Sequence, residues 1–281
     1  MTRDENNPIY RQYLLEKELA EILKQSERSK RRRLYSKVYD RFYDEVPEEL
    51  KKNFEPSKAQ RSFVTDLKLK IINPLIPSNE CILVEIGSGN CDFTKGIASK
   101  VTRVISIEAT DKLTNEQHHP DNVTFKIAEA PPYDIQTESI DIVFSSHFIE
   151  HLHPEDAIDH MKEVYRILRN GGKYLCLTPN ILYGPHDISQ HFGDKVATGL
   201  HLKEYSYLEL GRLGKKVGFK NITAIQKLGS KPSKFAYYFY STFERGLLSP
   251  LNNRHVVEKL FFKSYKKPFR PLEQIKIVFH K

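Results

Sequence analysis

The chain has 281 residues, is 39% hydrophobic and carries a formal charge of +8, which suits one α/β domain of ordinary size with further elements at its ends. No run approaches the about 18 apolar residues of a membrane span, and the N-terminal MTRDENNPIY lacks the basic-then-apolar layout of a signal peptide, so a soluble, cytoplasmic protein is expected. Three isolated cysteines, Cys81, Cys91 and Cys176, argue against a disulfide framework or a C-x-x-C zinc site, and no metal site is expected.

Residues 9–45 place apolar and aromatic side chains at three- and four-residue steps up to Pro47, which predicts an N-terminal helical extension over 1–60 ahead of a main domain over 61–281. The basic run at 28–33 looks like a nucleic-acid patch. Residues 1–60 nevertheless hold 14 basic and 12 acidic side chains, so a solvated helix face is the expectation. Beyond residue 60, helices alternate with short apolar runs. Residues 61–73, 156–170 and 205–219 suit helices, and 81–87, 101–109, 122–130, 139–146, 171–180, 220–229 and 275–281 suit strands. Strands that are almost continuously apolar and separated by helices indicate a doubly wound, mainly parallel seven-stranded sheet covered on both faces. Residues 232–272 read as a basic, aromatic helical insertion before the last strand. Residues 221–281 hold 12 basic and 3 acidic groups, so the surplus charge lies there. The aromatics either pack at helical steps against the sheet or face a substrate, a weak interfacial membrane contact or a nucleic acid.

The first strand runs into Glu85-Ile86-Gly87-Ser88-Gly89-Asn90-Cys91-Asp92. Two glycines permit a sharp turn and a close ligand approach. A dinucleotide fingerprint would need glycine at position 92, where Asp92 stands. Glu108 follows Gly87 by 21 residues, near the ~20-residue offset at which an acidic side chain takes both ribose hydroxyls.

In this order the segments resemble the class I S-adenosylmethionine-dependent methyltransferases, closest to the type 11 small-molecule enzymes. Glu85-x-Gly87-x-Gly89 is similar to their first motif, with Cys91 in place of its third glycine. Glu129-Ala130 stands where the family places an acidic-Ala pair beside the adenine. Residues 141–152, DIVFSSHFIEHL, resemble its fourth-strand segment, and 163–172 its helix-and-turn ending in Gly-Gly, with Asn170 at the usual proline. The resemblance spans 80–220. It implies a Rossmann-like methyltransferase fold, S-adenosyl-L-methionine as cofactor and a small-molecule acceptor, with cofactor contacts at Glu85, Gly87, Ser88, Gly89, Glu108, Ala109, Glu129, Ala130, Ser145 and His147. Ala130-Pro131-Pro132-Tyr133 looks like the motif of enzymes that methylate amino groups, but it opens with alanine and precedes the fourth strand, so a turn is expected.

The methyl group of such a cofactor is already activated, so the protein has mainly to align the acceptor and exclude water. A hydroxyl acceptor gains from a histidine base. The long loop 180–203 falls where this fold places its substrate. There His186 is the candidate base with Asp187 as its orienting acid, and His191, His201 and Tyr183 are candidate substrate contacts. His151 is the second catalytic candidate. The alternatives are an RNA or protein methyltransferase using the basic segment, or a non-catalytic cofactor-binding module. A nucleic-acid partner is not expected.

Overall fold

A computed structural model describes residues 3–52, 56–110, 112, 120–247 and 273–281. The N-terminal segment forms four helices where the periodicity suggested one: α1 (Pro8–Gln25), α2 (Arg28–Arg31), α3 (Tyr35–Glu45) and α4 (Glu48–Lys51). The Asn7 side chain caps α1 by accepting the Ile9 N–H, with Pro8 in the first turn, and the chain leaves α1 through an extended Ser26. Helix α5 (Lys58–Ile72) opens on a Ser57–Gln60 capping box and stops before Pro74.

The predicted alternation follows: β1 (Ile82–Ile86), α6 (Asp92–Ala98), β2 (Arg103–Glu108), β3 (Val123–Ile127), β4 (Ile140–Ser146), α7 (Pro154–Ile167), β5 (Leu168–Pro179), α8 (Tyr207–Val217), β6 (Asn221–Ala224), α9 (Lys234–Leu247) and β7 (Gln274–His280). They build one seven-stranded sheet in the order β3-β2-β1-β4-β5-β7-β6. The first five strands run parallel, and β7 lies antiparallel between β5 and β6. Alternate residues serve opposite faces. Leu83 of β1 joins a core with Phe93 and Ile97 of α6, whereas Val84 and Ile86 join one that includes Val164 of α7 and Leu210 of α8. The strand order reverses between β1 and β4, where an open α/β sheet offers a crevice beyond its carboxyl ends.

The extension does not stand apart from the domain. Leu19 and Leu23 of α1 and Val38 and Phe42 of α3 belong to the same core as the sheet. The basic run is a solvated face at Arg28, Lys30 and Arg33, as expected, but not at Arg31. Arg31 is 2% exposed, with Nε on Asp156 Oδ2 at 2.7 Å and Nη2 on Glu155, while Arg28 and Arg32 both reach Asp159. Two of these acids, Glu155 and Asp156, sit in the first turn of α7, where they also meet the positive end of the helix dipole.

Of the basic aromatic insertion, residues 248–272 lie outside the described residues, Phe261 to Phe269 among them. Helix α9 splits its aromatics between two faces. Tyr237 and Tyr240 are buried, the Tyr240 ring tilted against Tyr207 of α8 with centroids 5.0 Å apart, while Phe235, Tyr238 and Phe239 are exposed. Residues 130–133 form neither helix nor strand, and Tyr133 is buried against His160. Among the described residues no helix is long and apolar enough to cross a membrane.

Candidate functional site

A cavity of about 560 Å³ opens beyond β1, β2 and β4, within the range of small-ligand sites. It has two ends. One is formed by the β1 turn and the carboxyl ends of β2 and β4. The other is formed by the loop after β5 and by α1, while α3 lines the wall with Tyr35, Tyr39, Phe42 and Tyr43 and reaches Glu129 of the first end through Ser36.

At the first end the chain makes its turn with Gly87 at φ +73° and Gly89 at φ +53°, both in the left-handed region. A Cβ on Gly87 would meet Phe148 Cδ2 at 2.7 Å, whereas one on Gly89 would enter open space. Cys91 shares the positive φ, at +60°, which is why glycine is the natural residue there. Its Sγ lies 3.6 Å from Ser106 Oγ, among buried groups, and it is not part of the cavity wall. The departure from the family motif therefore leaves the cradle open.

Glu108 accepts the N–H groups of Gly89 at 2.7 Å and Ala109 at 2.8 Å. Burial raises its carboxyl above the usual range, partly opposed by those two donors. The bonds fix the carboxylate beside the glycine turn with lone pairs to spare for a ligand. Ser88, Ala109, Glu129 and His147 also line this end. His147 adopts φ +54°, an uncommon conformation for a non-glycine residue.

Three expected cofactor residues stand elsewhere. Glu85 turns behind the glycine turn, where Thr94 Oγ1 donates to it, and burial pushes its carboxyl up to about 7. Ser145 is fully buried with its Oγ 2.7 Å from Tyr174 Oη, because successive β4 side chains alternate faces; it is Ser146 that reaches the cavity. Ala130 is not on the wall.

The second end gathers histidines and carboxylates. The expected His186–Asp187 pair is replaced by His186–Glu204. Glu204 accepts the His186 backbone N–H at 2.7 Å and faces its Nδ1 at 3.3 Å, and its other contact is His201 Nδ1 at 2.9 Å. Burial would raise Glu204, but the bonds from His186 and His201 outweigh it and leave the carboxyl at about 2. Asp187 sits in extended backbone and aims differently, accepting the N–H groups of Ser189 and of Gly199, the latter at 2.7 Å. It shapes the loop and does not orient the imidazole. His186 Nε2 is buried without a hydrogen-bond partner.

His151 directs Nδ1 to the Leu200 carbonyl at 3.1 Å and stands edge-on to His201 at 4.9 Å. Burial first, and His201 second, lower it to about 4, so its imidazole is neutral at physiological pH. Glu150, fully buried behind it, accepts Thr178 Oγ1 at 2.9 Å. Burial pushes its carboxyl up, but the imidazoles of His147, His151 and His201 outweigh that and hold it at about 2. His191 and His201 are on the wall; Tyr183 is not, and its burial raises the phenol to about 12.

Several wall residues had no counterpart among the sequence candidates. Gln12 and Glu16 come from α1 and Tyr39 and Tyr43 from α3, where their helical spacing reads as ordinary amphipathic packing. Glu204 does carry a local signal, since it lies three residues after His201.

Residues 84–176 match the type 11 family model, described as a methyltransferase domain. No curated protein matches the chain. Among solved structures the chain is similar to an S-adenosylmethionine-dependent methyltransferase from Archaeoglobus fulgidus, at 17% identity and a TM-score of 0.54 over 83% of this chain and 98% of that one. It is also similar to phosphoethanolamine N-methyltransferase 1 from Haemonchus contortus, bound to phosphoethanolamine and S-adenosylhomocysteine, at 16% identity and a TM-score of 0.54 over 91% of this chain and 50% of that one. At such identities these likenesses are of fold.

Proposed function

We propose, for a chain that carries a type 11 methyltransferase domain and so draws its methyl group from S-adenosylmethionine, that the acceptor is a small molecule bearing a hydroxyl group which His186 deprotonates. The residues fit that cofactor. Glu108 keeps free lone pairs for ribose hydroxyls, Gly89 leaves the space a Cβ would fill, and Ser146 Oγ is a buried polar atom without a protein partner on the same wall. Bound there, the cofactor supplies a methyl group activated on a cationic sulfur.

The observation that carries the reading is the unpartnered Nε2 of His186. With Nδ1 turned to Glu204, Nε2 presents its lone pair, the arrangement of an oriented general base. The side chains that α1 and α3 add to the wall support a small acceptor over a polymer, because they bring part of the cavity within a few side chains of the glycine turn.

Incubation with isotopically labelled cofactor and a metabolite extract, followed by mass spectrometry and assignment of the methylated atom, tests the reading. An O-methylated product is expected. His186→Gln should slow its formation by about 10²–10⁴-fold with cofactor affinity intact. A product methylated on nitrogen or carbon, or equal rates in the variant, would remove the base from the mechanism.

A further inference from the structure

A three-residue cluster at the second end of the cavity has no role in that reading. Glu150, His151 and His201 bring one ligand atom each to within 4.8 Å of one another. The first two adjoin in sequence after β4 and the third lies fifty residues on, so only the fold assembles them. We propose that Glu150, His151 and His201 form a binding site for a divalent transition-metal ion.

Three features point to a ligand here. Glu150 is fully buried, and its Oε1 has no partner but the His147 imidazole, whose Nδ1 stands 3.3 Å away. A buried carboxylate oxygen met only by one imidazole at that distance keeps lone pairs open to a cation. Each imidazole is also held through Nδ1, His151 by the Leu200 carbonyl and His201 by Glu204, which leaves the two Nε2 atoms as donors. Metal-binding histidines are oriented in this way by a carbonyl or carboxylate behind them. The two rings line the cavity, so an ion between them keeps open positions on the side where the acceptor lies.

Two imidazoles and one carboxylate suit zinc, manganese, iron(II) or cobalt(II) better than calcium or magnesium, which prefer oxygen. Three ligands at about 2.1 Å from a tetrahedral ion stand roughly 3.4 Å apart. Rotation of the imidazoles therefore has to close the cluster by about an ångström. The site stands whether or not the acceptor is a hydroxyl, and its test needs no turnover.

Full-length protein stripped with chelator is titrated with Zn²⁺ by calorimetry and with Co²⁺ by visible absorption. One equivalent should bind in each case and the melting temperature should rise with Zn²⁺. Glu150→Gln and His201→Asn should each weaken binding by about 100-fold, while His153→Ala, outside the cavity, leaves it unchanged. Melting without metal reports whether each variant folds; if Glu150→Gln does not, His201→Asn carries the test alone. Absence of stoichiometric binding in the wild type, or unchanged binding in folded His201→Asn, overturns the proposal.

Discussion

Glu108, at the end of β2, and Cys91, in the glycine turn that leads into α6, flank the same site, and their geometry assigns them opposite weights. The Glu108 carboxylate faces the cavity and fixes Gly89 through a backbone N–H at 2.7 Å. On the proposed reading, Glu108→Ala removes both a ribose acceptor and that support. With charge-assisted hydrogen bonds contributing about 1.5–3 kcal/mol each, cofactor affinity should fall by at least tenfold in calorimetric titration. Cys91 is the position at which the sequence departs from the methyltransferase motif it resembles, yet its sulfur points among Ser88 and Ser106, off the wall. Cys91→Gly relieves a left-handed residue and gives up a buried thiol, so the same titration should change by less than about threefold. A larger loss in Cys91→Gly than in Glu108→Ala would mean that the cofactor lies on the other side of the turn.

Among the elements, the N-terminal helices add Gln12, Glu16, Tyr35, Tyr39 and Tyr43 to the cavity wall, and Arg31 is their main anchor. Its guanidinium is buried on Asp156 and Glu155 of α7, and Tyr35 of α3 donates to the same Asp156 at 2.8 Å. Removing one partner of a buried pair strands the other, at about 3–5 kcal/mol. Arg31→Ala should therefore lower stability by that order in urea unfolding, whereas Arg28→Ala, on an exposed side chain, should cost less than about 1 kcal/mol. The sequence could not reveal this docking, because a basic run on an amphipathic helix reads the same whether it faces water or the acidic first turn of another helix. The sheet was more legible. Its strands are nearly continuous apolar runs, so their number and order survive, with ends displaced by a few residues, as where β5 begins at Leu168 and not near Gly171. The glycine turn and Glu108 were legible because both are local to one β-α-β unit. The partners of His186 and the joining of Glu150 with His201 depend on loop paths that no spacing encodes.

Across the whole molecule, burial shifts two sets of groups in opposing senses, and their balance predicts the pH profile of stability. Glu16, Glu85, Glu108 and Glu244 are all raised by burial, Glu85 and Glu244 to about 7. A carboxyl raised in the folded state contributes fully below the unfolded value of 4.5, and that contribution is lost as pH rises through the folded value. His151, His153, His160 and His280 are lowered by burial, His151 to about 4 and His160 to about 3. Their contribution is present above the unfolded value of 6.5 and is lost as pH falls through the folded value. Between pH 4.5 and 6.5 Glu85 and Glu244 on one side and His151 and His160 on the other therefore oppose each other, and stability should be nearly flat. Below this window Glu150 and Glu204, held at about 2, must take up protons on unfolding while the raised carboxylates no longer compensate. At about 1.4 kcal/mol per proton per pH unit, these two glutamates alone give a slope of roughly 3 kcal/mol per unit. Urea midpoints measured across pH 3–7 should show a plateau and then a steep fall below about 4.5. In Glu204→Gln the fall should be shallower by about half. A midpoint that instead declines steadily from pH 7 would mean that the buried histidines dominate and the raised glutamates do not offset them.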